Sequence, residues 1–254
     1  MKKWITFDLD GTIMQNPFGK YVFPEIEEKV HALCGQKKNV IDELVEEHQL
    51  RMQEQRFVEA YDWDDIVKSF LDKAQITCEM NIEELVRKHS TLPKIYLLEE
   101  NILHTLQMLI DRGYSLAAVT NGFYKYQFPV MKTLGLDQYF EEIITPEKAG
   151  YGKPDVRIFD GLKQNGDVIT AHIGDRLDHD VQLANLYGTA SIWIERKIPQ
   201  SFLNIPPDER INHIAIKDLC KQKWMKEANE EILPVTLEPD IVIASISELS
   251  IIFK

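Results

Sequence analysis

Cysteine is scarce in this 254-residue chain: Cys34, Cys78 and Cys220 are the only three, widely spaced and in no CxxC or Cys/His pattern. That scarcity excludes a disulfide framework and a structural zinc site, and it fits a reducing cytoplasm. Long apolar runs are also missing. No stretch reaches the roughly 18 residues of a membrane-spanning helix, and the opening "MKKWITFDLD" has only a short apolar run broken by Asp8. Neither a signal peptide nor a membrane partner is expected. Positive charge is in deficit, with 29 Lys and Arg against 41 Asp and Glu, a net charge of −12. Such a chain repels phosphate backbones and anionic membrane surfaces, so nucleic acid is not an expected partner, whereas a small anionic substrate in a locally positive pocket is compatible. Internal repeats and low-complexity tracts are absent as well. A hydrophobic share of 44% suits a globular protein of one large core, or a core with a smaller domain.

Short apolar, partly β-branched runs end in turn or polar residues: "WITF" (4–7), "YSLAAVT" (114–120), "TAHI" (170–173) and "ASIWI" (190–194). Each reads as a buried strand, with "FEEIIT" (140–145) a weaker one. Helical spacing lies between them, as in "NILHTLQMLIDRG", where Ile102, Leu103, Leu106, Leu109 and Ile110 recur before Gly113. Alternating strand and helix predicts an α/β fold, a doubly wound parallel sheet with helices on both faces. Residues 17–95 break the rhythm with consecutive amphipathic helices: "PEIEEKVHALC", "VIDELVEEHQLRMQEQRFVEAY", "WDDIVKSFLDKA" and "NIEELVRKHS". In the second of these, Ile41, Leu44, Val45, His48 and Met52 share a face. A helical domain, 17–95, is therefore expected inside an α/β core of 1–16 and 96–254, with Pro17, Pro24 and Pro93 as hinge markers. Toward the C-terminus, "PDIVIASISELSIIF" (239–253) predicts one more strand and a short helix. Residues 197–238 offer a Lys-rich helix around "DLCKQKWMKEANEEI" and no motif.

Chemistry-bearing residues sit where these strands end. Asp8 and Asp10 are two positions apart, on one side of an extended backbone, and Gly11 then allows a turn. Carboxyl ends of parallel strands line the ligand crevice, where two carboxylates can divide the work of nucleophile and proton donor. "AVTNG" ends a second strand at Thr120. The Thr120 hydroxyl and the backbone around Asn121 and Gly122 are suited to holding phosphate oxygens. Lys153, in "GYGKPDVRIF", is a cation suited to a phosphate and to steadying a nucleophilic carboxylate. "HIGDRLDHDV" crowds Asp175, Asp178 and Asp180 after a fourth strand. Three carboxylates so close repel unless a cation intervenes, and hard oxygen ligands suit Mg²⁺ better than His172 and His179 suit a transition metal.

In this order, each piece at a strand end, the motifs resemble the haloacid dehalogenase superfamily, over about 1–16 and 100–195. The resemblance implies a Rossmann-like core with a C1-type α-helical cap, and a Mg²⁺-dependent phosphatase acting on a small phosphorylated metabolite through an aspartyl-phosphate. It implies Asp8 as nucleophile and Asp10 as general acid/base. Lys153 is implied as a catalytic and phosphate-binding cation, with Thr120, Asn121 and Gly122 at the phosphate. The implied metal set is Asp8, Asp10 and Asp175, supported by Asp180, with Asp178 a solvated or helix-start carboxylate. The second Asp disfavours a dehalogenase. A phosphomutase and a non-catalytic binding protein of the same fold are the alternatives. Pro129 departs from the pattern, inside the helix expected after Thr120, which must kink or begin late.

Overall fold

Apolar strands need cover on both faces, and they obtain it as a parallel sheet. The structure, a computed structural model, describes residues 1–34, 39–163, 166–228 and 232–254. Its strands are β1 (Lys3–Phe7), β2 (Met14–Gln15), β3 (Tyr96–Leu97), β4 (Ser115–Val119), β5 (Glu142–Ile144), β6 (Val168–Gly174), β7 (Ala190–Ile194) and β8 (Ile241–Ile243). Six of them form one sheet in the order β5-β4-β1-β6-β7-β8, every pair parallel. β1 is central: the chain winds outward from it on one side through β4 and β5, and on the other through β6, β7 and β8. Its C-terminal end is therefore the switch point where ligands of such sheets bind. Side chains alternate between faces. Ile5, Phe7, Leu116 and Ala118 join one buried cluster, while Trp4, Ala117 and Val119 join another.

The helices are α1 (Phe23–Cys34), α2 (Val40–Gln53), α3 (Phe57–Ala60), α4 (Trp63–Lys73), α5 (Ile82–His89), α6 (Ile102–Asp111), α7 (Tyr124–Leu134), α8 (Pro146–Ala149), α9 (Gln182–Tyr187), α10 (Ile214–Ala228) and α11 (Leu249–Ile252). Asp62 caps α4 and Asn81 caps α5, each side chain accepting from a backbone N–H three residues on. The long helical run read at 40–61 is divided: Gln55 takes a positive φ of 59° between α2 and α3. Within α2 the buried positions are Val40, Leu44 and Arg51, not Met52. Arg51 can be buried because Glu47, Asp65 and the Glu59 carbonyl satisfy its guanidinium.

α1 to α5 lie between β2 and β3, which pair antiparallel, so the chain leaves and re-enters the α/β part through one two-stranded ribbon. Strands of two residues carry no readable periodicity, which is why the sequence shows no sign of them. Apolar side chains of the insert, among them Val22, Ile26, Leu44 and Ile66, belong to the same buried cluster as Ile5 and Phe7 of β1. α7 begins at Tyr124 and runs through Pro129 to Leu134. The proline costs that helix one backbone hydrogen bond.

The segment that lacked motifs is not a loose tail. Trp193 of β7 packs with Ile216 and Cys220 of α10. Arg210 is buried, bonded to the carbonyls of Phe202, Ile205 and Val242 and paired with Glu248 at 2.7 Å. The Lys-rich helix is α10, which is described to Ala228; residues 229–231 lie outside the described residues.

Candidate active site

β1 delivers Asp8 to the crevice, and the Asp8 N–H still bonds to the Ile173 carbonyl of β6 at 2.8 Å. β6 ends one residue before Asp175. Gly11 lets the two meet: its φ is +82°, and a Cβ there would lie 2.9 Å from the Asp175 carboxylate. The Asp8 carboxylate is held at both oxygens. Lys153 Nζ donates to Oδ1 at 2.6 Å and Thr12 Oγ1 to Oδ2 at 3.1 Å. The Lys153 ammonium also donates to Asp180 Oδ1 at 2.6 Å, and the residue is 2% exposed. Asp180 accepts further from the Arg176 N–H at 3.0 Å and lies 3.1 Å from His172 Nε2.

The loop that presents Lys153 is tied to the turn after β4. Asn121 Oδ1 accepts from the Lys153 N–H at 2.7 Å, and Asn121 Nδ2 donates to the Lys153 carbonyl at 3.1 Å. The Thr120 hydroxyl accepts from the Gly122 N–H at 3.1 Å, which tightens that turn. Thr120, Asn121 and Gly122 thus adjoin Lys153, with the Asn121 side chain engaged by the lysine's backbone.

Asp8, Asp175 and Asp180 each offer an oxygen within 4.8 Å of the others'. Asp10 stands outside this group; its Oδ2 accepts from Gln127 Nε2 at 2.6 Å, and its Oδ1 is buried without a partner. His172 and His179 are also outside the group. Burial lowers the pKa of both, His179 to about 4, so both are neutral near pH 7. Asp178 lies outside the cluster, as expected: it is a partly exposed carboxylate in the first turn of the helical segment Leu177–Val181, where it takes a two-oxygen clasp from Arg176 at 2.9 and 2.6 Å.

Lys153 within the cluster and Lys223, 3.7 Å from Asp175 at its edge, do not balance these three carboxylates. Burial pushes Asp8 above the ordinary carboxylate range despite Lys153, and burial with the Asp180 charge does the same to Asp175. Asp180 is held below that range, because Lys153 and His172 outweigh its burial. Burial works against the charge of Lys153, yet Asp180 and Asp8 keep it protonated. Asp10 is raised by burial, against the pull of Gln127, Asn16 and the Lys153 charge. A cluster of hard oxygens with unbalanced negative charge, and no sulfur or histidine ligand, fits a hard divalent cation.

Four contributors escaped the sequence reading. Gln127 reaches Asp10 from the first turns of α7. Tyr61, between α3 and α4, stacks edge-on against His179 with centroids 6.5 Å apart. Lys223 of α10 brings its ammonium to 3.7 Å from Asp175 Oδ2. Arg196 donates to the carbonyls of Gly11 and Thr12 at 3.0 and 2.7 Å while Glu99 holds its other edge. None belongs to a local motif; only their separation in the sequence from Asp8 and Asp175 could have been noted beforehand.

Residues 2–188 match the family described as haloacid dehalogenase-like hydrolase, and the chain belongs to that family. Among named proteins it is similar to a glyceraldehyde 3-phosphate phosphatase of Methanopyrus kandleri, 33% identical over 102 residues, 38% of this chain and 42% of that one. A protein of the same name from Methanocaldococcus jannaschii is 26% identical over 198 residues, 76% of this chain and 85% of that one. The M. kandleri match thus spans less than half of that relative's length. A solved HAD phosphatase from Thermococcus onnurineus has the same fold, with a TM-score of 0.66 at 24% identity over 99% of this chain and 97% of that one. Both of these named relatives are called phosphatases. Among the described residues, no helix is long and apolar enough to cross a membrane.

Proposed function

We propose that the protein is a Mg²⁺-dependent phosphatase that hydrolyses a small phosphomonoester through an aspartyl-phosphate on Asp8. The observation that carries this reading is the buried Asp8 carboxylate, held by Lys153 and Thr12 beside Asp175 and within the reach of a cation. A buried carboxylate fixed in place by Lys153 and Thr12 is suited to nucleophilic attack. Asp8 attacks phosphorus, and Lys153 takes part of the charge on the phosphoryl oxygens together with the turn at Thr120, Asn121 and Gly122. Asp10 protonates the departing alkoxide; its carboxyl then takes a proton from the water that attacks the aspartyl-phosphate. Asp8 and Asp175, with Asp180 in support, would hold Mg²⁺, and the ion would supply the charge neutralisation that lets a carboxylate approach a phosphate; Asp10, outside their cluster, is left to proton transfer.

The reading extends to the insert. Residues 17–95 serve as a helical cap domain over a core of 1–16 and 96–254, with the Tyr61 ring set against His179 of the core, centroids 6.5 Å apart. A closed cap excludes bulk water and favours a small soluble metabolite over a phosphoprotein. The two relatives named for glyceraldehyde 3-phosphate support a substrate of that size. The enzyme works in the cytoplasm, where Cys78 and Cys220 stay reduced.

Turnover of para-nitrophenyl phosphate with and without Mg²⁺ tests the reaction class; metal-independent turnover, or none, contradicts it. A titration tests the metal site: Asp175→Ala should weaken Mg²⁺ activation by more than the roughly 10–100-fold that loss of an outer partner costs, and Asp178→Ala by far less. Superimposable Mg²⁺ curves for wild type and Asp175→Ala contradict the site. Asp10→Asn should slow the first half-reaction of an alkyl phosphate far more than that of para-nitrophenyl phosphate, whose leaving group needs little protonation. Equal slowing in single turnover removes Asp10 as the acid.

A further inference from the structure

We propose that Gln127 is the positioning residue of Asp10, pinning one carboxyl oxygen so that the other is presented for proton transfer. The inference rests on the phosphatase reading above. Gln127 stands near the start of α7, where its backbone N–H bonds to the Phe123 carbonyl at 3.0 Å. The residue is 3% exposed, and its side chain runs back over Gly122 to donate from Nε2 to Asp10 Oδ2 at 2.6 Å. The path is open only because residue 122 is glycine: a Cβ there would lie 2.0 Å from Gln127 Nε2. Oδ1 of Asp10 and Oε1 of Gln127 are both buried with no hydrogen-bond partner. Buried acceptors are rarely left so, and an orphan pair in a catalytic crevice marks a place where a donor arrives.

The arrangement separates the duties of the two Asp10 oxygens. With Oδ2 engaged, the carboxyl group cannot turn freely, and Oδ1 is the oxygen left to carry the proton. As the ester P–O bond breaks, the Oδ1–H proton passes to the leaving oxygen and its electron pair stays on Oδ1. When water attacks the aspartyl-phosphate, Oδ1 takes a proton back. Gln127 touches neither phosphorus nor the leaving group; it acts through Asp10.

Single-turnover rates for an alkyl phosphate and for para-nitrophenyl phosphate test this. Wild-type turnover of both esters is measured first; its absence overturns the phosphatase reading and this inference with it. Gln127→Leu keeps the bulk and removes the donor. It should slow the alkyl ester by roughly tenfold or more and the aryl ester by much less, because only the alkoxide depends on a well-aimed acid. Gly122→Ala, which displaces the amide, should lower the same alkyl-to-aryl ratio and serves in place of Gln127→Leu if that variant does not fold. A structural role alone would slow both esters alike, and an unchanged ratio in the folded variants overturns the proposal. Gln127→Leu added to Asp10→Asn should cost the alkyl ester nothing further, since the pair acts as a unit. An additional loss contradicts action through Asp10.

Discussion

Asp8→Asn should abolish turnover while leaving the protein folded. The amide matches the carboxylate in shape and can still accept from Lys153, but it is a poor nucleophile and a poor ligand for a hard cation. The loss should reach several orders of magnitude, and a purified variant that keeps more than about a hundredth of the wild-type rate contradicts the role of Asp8. Stability should move the other way. Burial raises the Asp8 carboxyl above its ordinary range, so the ionised group opposes folding at neutral pH. A neutral amide removes that opposition. The thermal midpoint of Asp8→Asn should therefore equal or exceed that of the wild type; a clear fall would mean that the ion pair with Lys153 outweighs the burial of Asp8.

Lys153→Met should lose both activity and stability. Its ammonium is the cation that bridges Asp8 and Asp180 at 2.6 Å to each. A methionine fills the space and leaves buried carboxylates without their counter-charge, for which about 3–5 kcal/mol of destabilisation is expected. The pH dependence has a definite sign. In the wild type the Asp180 carboxyl is held below its ordinary range, so its contribution is present above the unfolded pKa and fades as pH falls through the folded one. In the variant that depression is lost and the carboxylates are raised, so protonation relieves them as pH falls. The stability gap between the two proteins should consequently be smaller at about pH 5 than at about pH 8 in denaturant unfolding. A gap that is constant or widens toward acid contradicts the charge argument. Lys153→Met should also show at most a trace of turnover, because the phosphate loses its buried cation.

The sequence was most legible where chemistry and chain direction coincide. β1, β4 and β6 are largely buried apolar runs, and each leads directly into a polar residue at the crevice, so Asp8, Thr120 and Asp175 could be set at strand ends. Lys153 and Asp180 were readable as charges near such ends, but the bridge from one ammonium to two carboxylates depends on a loop and a helical turn that meet only in space. β2 and β3 are too short to leave a pattern. The burial of Arg51 leaves no sign in the sequence, because a charged residue on an amphipathic helix reads as solvated and its partners, Asp65 and the Glu59 carbonyl, lie on neighbouring elements. Gln127, Tyr61, Lys223 and Arg196 follow from the same limit. Each joins the site from far along the chain, as with the 117 positions between Gln127 and Asp10 and the 185 between Arg196 and Gly11. Periodicity carries no record of such contacts.

Trapping the covalent intermediate tests the central claim most directly. The Mg²⁺-loaded protein is mixed with a substrate that turns over, quenched in acid within the first turnover, digested and examined by mass spectrometry for an acid-stable, base-labile phosphoryl group. The account predicts that group on the side chain of Asp8, in the peptide that carries "WITFDLDGTIMQN", and its loss in Asp8→Asn. A phosphoryl group on any other residue, or sustained turnover with no covalent phosphate at any quench time, would contradict it.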